Sequence, residues 1–191
     1  VYGRLADMYG RKKVFYAGAG LFLVGSVLCG FSRNMVMLIV FRALQGFGAG
    51  GVQPIATTIL GDIYSPTERA HIQGLVSSVF GVAAVLGPLL GAFLVEQVNW
   101  QLVFWVNIPI GIAAIAMIAA FLQEPSDHRS RRIDYLGSLL LMLSITALML
   151  VLVQGGSLSP RALVIAGAIC LVTLIALGLH ETTTSEPMLP L

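Results

Sequence analysis

Six long apolar stretches set the terms for this chain: residues 14–31, 36–59, 72–95, 103–122, 135–153 and 162–179. Each is close to the roughly 20 residues that an α-helix needs to cross the hydrocarbon core of a bilayer. Five of them contain no Asp, Glu, Lys or Arg, and the second contains only Arg42. Lipid offers no partner for a bare N–H or C=O, so a spanning chain must be helical or a closed barrel. Barrel strands would be shorter and would alternate polar with apolar. The expected fold is therefore all-α: a polytopic membrane protein with six transmembrane helices. Gly and Pro within the stretches do not oppose this, because spanning helices tolerate both.

Composition closes off the other classes. Of 191 residues, 57% are apolar and only 10% charged, against about 25% charged in soluble domains. So few charges cannot wet the surface of a globule, and disordered chains are far more polar. A net charge of +2 gives too little counterion release for a nucleic-acid binder. Cys29 and Cys170 lie in separate apolar stretches and make no disulfide framework. His71, His128 and His180 lack metal-ligand spacing and read as interfacial or loop residues. The spans hold no clustered His, Ser or Asp constellation, so the sequence does not read as an enzyme.

Orientation follows from the basic residues. One set of loops carries Arg4, Arg11, Lys12, Lys13, Arg69, Arg129, Arg131 and Arg132, and the other only Arg33 and Arg161. The positive-inside rule places the first set in the cytoplasm. The chain divides into a bundle portion over 1–122, a polar cytoplasmic linker over 123–134, and two further helices with the start of a loop over 135–191. It begins within a charged loop, without an initiator Met or a signal-peptide pattern. The expectation is a piece of something longer.

Four elements carry chemistry. Gly3-Arg4-Leu5-Ala6-Asp7-Met8-Tyr9-Gly10-Arg11-Lys12-Lys13 places an acid among bases in what reads as a tight loop, with Gly3 and Gly10 permitting the turn. Asp7 is near enough to pair with Arg11 or with the end of another helix. The plainer alternative is a basic topology anchor. In the second element, Arg42, Gln45, Gly46, Ala49, Gln53, Ala56 and Thr57 form one stripe of a helix with 3.6 residues per turn. That side should face protein or water, and Val40, Leu44, Phe47, Ile55 and Ile59 should face lipid. An ionisable group within a span suggests function; the alternative is an arginine that snorkels outward. The third element is Ala83, Gly87-Pro88 and Gly91, small residues at every fourth position that let another helix come close. Generic packing would use the same residues. The fourth runs from Trp100 through Phe104, Asn107 and Pro109 to Gly111, with Trp100 and Trp105 suited to the outer interface and Asn107 placed to bond a neighbouring helix.

These four elements, in this order, resemble the signatures of the major facilitator superfamily, in particular its 14-helix drug:proton antiporter branch. The first resembles GxLaDrxGrkxxl, with Met8 for the usual base and Phe15 for an aliphatic. The second resembles lxxxRxxqGxgaa, with Gly50 for Ala. The third resembles gxxxGPxxGG, with Ala83 and Ala92 for glycines. The resemblance implies that the six spans are helices three to eight of fourteen, the last two being an inserted pair. It implies proton-coupled export of drugs or other amphiphilic small molecules by alternating access, in the bacterial cytoplasmic (inner) membrane. The energy source would be the proton gradient, with no cofactor. Partners would be the small-molecule substrate and the lipid bilayer, with room for an accessory periplasmic or outer-membrane export partner. Arg42, Gln45 and Gln53 are then the candidates for proton coupling and the cavity. Gly3, Asp7, Gly10 and Arg11 are the gating candidates, and Gly87, Pro88 and Gly91 the helix seal or hinge. No Asp or Glu lies in the six spans, so a proton-carrying acid would sit elsewhere in the whole protein. Two readings compete with this one: a transporter of the same fold for a specific metabolite, and a non-transporting membrane protein.

Overall fold

The computed structural model describes residues 2–122, 134–154, 156 and 159–183. Among these, every regular element is helical: α1 (Tyr2–Tyr9), α2 (Arg11–Gly30), α3 (Met35–Ile63), α4 (Pro66–Phe93), a π-helical turn (Leu94–Val98), α5 (Leu102–Trp105), α6 (Asn107–Phe121), α7 (Tyr135–Gln154) and α8 (Pro160–Thr183). Six segments are long and apolar enough to cross a membrane: Arg11–Gly30, Met35–Ile63, Pro66–Val98, Leu102–Phe121, Tyr135–Val153 and Pro160–His180. Each overlaps one of the six apolar stretches, and the fold is the expected all-α one.

Local chemistry sets several boundaries. Asn34 opens α3 by accepting the Met37 N–H on its side-chain oxygen at 2.8 Å, which satisfies one of the unpaired donors of a first turn. Pro66 begins α4 at a position where a missing N–H costs nothing. There Glu68 reaches back to accept the Ser65 N–H at 2.9 Å. Between α1 and α2 the chain turns at Gly10, whose φ is 92°, a region open to glycine and strained for other residues.

Gly3 has another role than the one expected. It lies inside α1, so the charged segment is a short helix, a single-glycine turn and a long helix rather than a loop turned on two glycines. The helix forms because it has a surface to dock on: Ala6 is buried, and Tyr2 and Leu5 pack on the core of Val14, Phe15, Ala19, Ile55 and Ile59.

The chain divides into two compact units, over residues 2–131 and 132–191. In the first, α2 and α3 form the main pair, with α1, α5 and α6 against α2. Glycines set the closeness of α2 and α3. A Cβ added at Gly25 would lie 2.6 Å from the Cα of Gln45. One at Gly18 would lie 3.3 Å from the carbonyl oxygen of Gly48. In lipid the hydrophobic effect does not drive helices together, so close backbone packing over small residues does that work. The helix α4 contains no buried residue.

In the second unit α7 packs on α8. Ser144, Ala147, Cys170 and Leu177 are buried between them. His180 lies in the last turn of α8 rather than in a loop. Its Nε2 sits 2.9 and 3.0 Å from the two carboxylate oxygens of Asp134, the residue just before α7. Most of the linker over 123–134, including Arg129, Arg131 and Arg132, lies outside the described residues, as do His128 and the stretch 184–191.

Candidate functional site

The expected polar stripe of α3 stays exposed except for the buried Gln45 and the half-buried Ala56. Residues Gln45, Gly48, Gly51, Ile55 and Ile59 are buried, whereas Arg42, Gly46, Ala49, Gln53 and Thr57 are exposed. The expected lipid-facing side is thus partly wrong: Ile55 and Ile59 are 0% and 6% exposed and belong to the core with α1 and α2. The geometry explains it. At about 100° per residue, positions 45, 48, 52, 55 and 59 fall on one narrow sector, the one that meets α2. Gln45 lies at the edge where this sector meets the exposed polar one.

That position gives Gln45 two kinds of neighbour. Its Nε2 donates to Ser26 Oγ of α2 at 2.6 Å. Its Oε1 accepts from Arg42 Nη1 at 2.9 Å and from the thiol of Cys29 at 3.9 Å. Gln45 is 3% exposed and Ser26 fully buried, so both ends of the amide are satisfied where water does not reach. The guanidinium of Arg42 also stands over the ring of Phe104, 5.7 Å from its centroid, within cation–π reach. Phe104 itself meets Trp100 edge-on at 6.2 Å. The next residue, Trp105, donates its indole N–H to the Val27 carbonyl at 3.4 Å and meets Phe31 at 5.4 Å. Among the described residues, this bond to a neighbouring helix comes from Trp105 rather than from Asn107. Arg42 is therefore held by an amide on one side and an aromatic ring on the other.

Gln53 lies elsewhere. It is 11 residues further along α3, about 17 Å at 1.5 Å per residue. There it lines an open cleft of about 670 Å³ together with Pro54, Thr57, Thr58, Gly61, Asp62 and Arg69. The hydroxyls of Thr57 and Thr58 bond the Gln53 and Pro54 carbonyls at 3.0 and 2.8 Å. Arg69 closes this end of α3 by donating to the carbonyls of Tyr64, at 2.9 Å, and Gly61.

One gating candidate, Arg11, meets that cleft through a residue the sequence did not single out. Arg11 pairs with Asp62 in the last turn of α3. Asp7 is half-buried, and among the described residues no ion pair joins it to Arg11. Nearby, Lys12 donates to the carbonyls of Ala119 and Leu122, each at 3.0 Å, and so satisfies acceptors left open at the end of α6. The basic cluster thus ties α2 to the same ends of α3 and α6.

The third group stands apart. Gly87, Pro88 and Gly91 lie within α4, and no other described residue comes within 4 Å of a Cβ placed at either glycine. The small-residue face is open in this chain.

The family model described as Major Facilitator Superfamily matches residues 1–135. The chain belongs to the major facilitator superfamily. It is a transporter family, not an enzyme family, and its members are multi-pass membrane proteins. Among curated relatives, this superfamily chain is 45% identical over 156 residues to "Multidrug resistance protein 3" of Bacillus subtilis, covering 82% of the chain and 30% of the relative. It is 35% identical over 192 residues to "Multidrug transporter protein MdtP" of the same organism, covering 99% of the chain and 36% of the relative. A fungal relative, "Efflux pump FUS6" of Gibberella fujikuroi, is 31% identical over 202 residues, with 100% of the chain and 36% of the relative covered. The chain therefore spans about a third of the length of these relatives.

Proposed function

We propose that this chain is part of a carrier that exports drugs or other amphiphilic small molecules across the bacterial cytoplasmic membrane, exchanging them for protons by alternating access. The observation that carries the reading is Arg42: a guanidinium inside a spanning helix, exposed and yet held by Gln45 and Phe104. An arginine that merely snorkels needs no buried amide beneath it. A fixed positive charge lowers the pKa of any acid that approaches it, which is what a proton-coupled step requires of it. Family members work by rocking two bundles about a site at the midplane, and the names of the relatives point to drug efflux as the cargo class.

The test uses the full-length protein containing this segment, reconstituted in liposomes. An imposed proton gradient should drive transport of a fluorescent lipophilic cation. A metabolite carrier of the same fold would leave the dye in place.

A further inference from the structure

This inference rests on the proposed role of Arg42 and extends it to α2. We propose that Ser26 is a positioning residue for Arg42: its hydroxyl anchors the far end of the Gln45 amide whose oxygen faces the guanidinium.

Arginine has only donors. The amide of Gln45 can serve it in one orientation alone, oxygen toward Arg42 and nitrogen away. The reverse orientation would set an NH2 against a cation. Arg42 itself selects that orientation, and Ser26 Oγ, accepting from Nε2 at 2.6 Å on the far side, anchors the amide in it. The Cys29 thiol donates to the same Oε1 that serves Arg42, so it reinforces the orientation. Gly25 makes the arrangement possible. Any side chain there would strike the Gln45 backbone, and α2 would stand too far off for the Ser26 hydroxyl to reach. The chain Ser26–Gln45–Arg42 thus runs from a fully buried hydroxyl to an exposed charge. It also gives α2, which holds none of the expected coupling residues, a direct hold on the coupling group.

Ser26→Ala removes the acceptor, leaves the buried Nε2 unpaired and loosens the amide. In the reconstituted full-length carrier, proton-driven dye transport should fall about 2- to 10-fold, the range that one neutral hydrogen bond commonly governs. The number of protons moved per dye should rise, because an acid that faces a loosely held Arg42 can exchange its proton without dye. Gln45→Met supplies the discriminating background. With no amide for the hydroxyl to anchor, adding Ser26→Ala to it should change neither the residual transport nor the Arg42 signals further. An equal loss in both backgrounds would mean that Ser26 only packs, and would overturn the proposal. A spectroscopic reading does not depend on activity: the 15N guanidinium signals of Arg42 should shift and narrow in Ser26→Ala. Unchanged signals would contradict the proposal. Should Ser26→Ala not accumulate, Ser26→Cys, of similar size and a weak acceptor, takes its place with the same expectations. Arg42→Ala is the control on the parent reading. If it transports normally, the coupling role fails. If it is inactive while Ser26→Ala behaves as wild type in every assay, only the positioning role fails.

Discussion

Nη1 of Arg42 and Oε1 of Gln45 lie 2.9 Å apart, one turn apart on the same helix. The pair joins an exposed charge to a buried amide, and the buried end touches α2. Any movement between α2 and α3 must therefore be felt at Arg42.

The α2–α3 approach should be intolerant of added bulk. Gly25→Ala puts a methyl 2.6 Å from the Gln45 backbone, where no flexible side chain can yield. Overpacking of this kind costs about 1–3 kcal/mol. Thermal unfolding of the detergent-solubilised full-length protein should shift downward, and Gly20→Ala, with open space at its Cβ, should leave it unchanged. Equal behaviour of the two variants would contradict the close crossing.

Asp62 should matter more to transport than to stability. Its pair with Arg11 is partly solvated, the two side chains being 38% and 27% exposed, and exposed pairs contribute about 0.2–1 kcal/mol. Asp62→Asn should lower transport clearly while moving the unfolding midpoint little. Exchanging the partners, Arg11→Asp with Asp62→Arg, should recover part of the rate. A double variant no better than the worse single one would count against the pair as a gating contact.

Phe104→Leu keeps the apolar bulk and removes the π face above Arg42. An exposed cation–π contact is worth about 0.5–1 kcal/mol, so transport should fall only a few-fold, less than in Arg42→Ala. Loss as deep as in Arg42→Ala would show that Phe104 does more than hold the guanidinium.

Orientation is open to labelling. Single cysteines at Thr67→Cys and Asn99→Cys, both at exposed positions on opposite ends of the α4 span, should react from opposite sides. The positive-inside rule assigns Thr67 to the cytoplasm. The native Cys29 and Cys170 are buried and should give little background. Reaction of Thr67→Cys with an impermeant reagent in intact cells would reverse the assignment.

What the sequence revealed and what it hid divide along physical lines. The spans were legible because lipid imposes a length and forbids charge, and both are local properties. The turn at Gly10 was legible in residue type, but Gly3 was not, because whether a short segment coils or turns depended on the core that Tyr2, Leu5 and Ala6 could reach. The face of α3 was half legible. Arg42 and Gln45 announced a polar side, yet Ile55 and Ile59 gave no sign that they pack on protein rather than lipid, since both surroundings are apolar. Partnerships across long separations were invisible: nothing near Arg11 pointed to Asp62, and nothing near His180 to Asp134. Asp62 did leave one signal, as the sole acid at the end of an otherwise uncharged stretch of α3 beyond Arg42.

The central claim is tested most directly by proton-driven dye transport in liposomes holding the full-length carrier with Arg42→Ala or Arg42→Lys. The alanine variant should insert normally and lose coupled transport. The lysine variant should keep only part, because a single ammonium cannot present the planar fork of donors that meets Gln45 and lies over Phe104. Coupled transport at the wild-type rate in Arg42→Ala would contradict the account and leave Arg42 as a side chain that only reaches for the membrane surface.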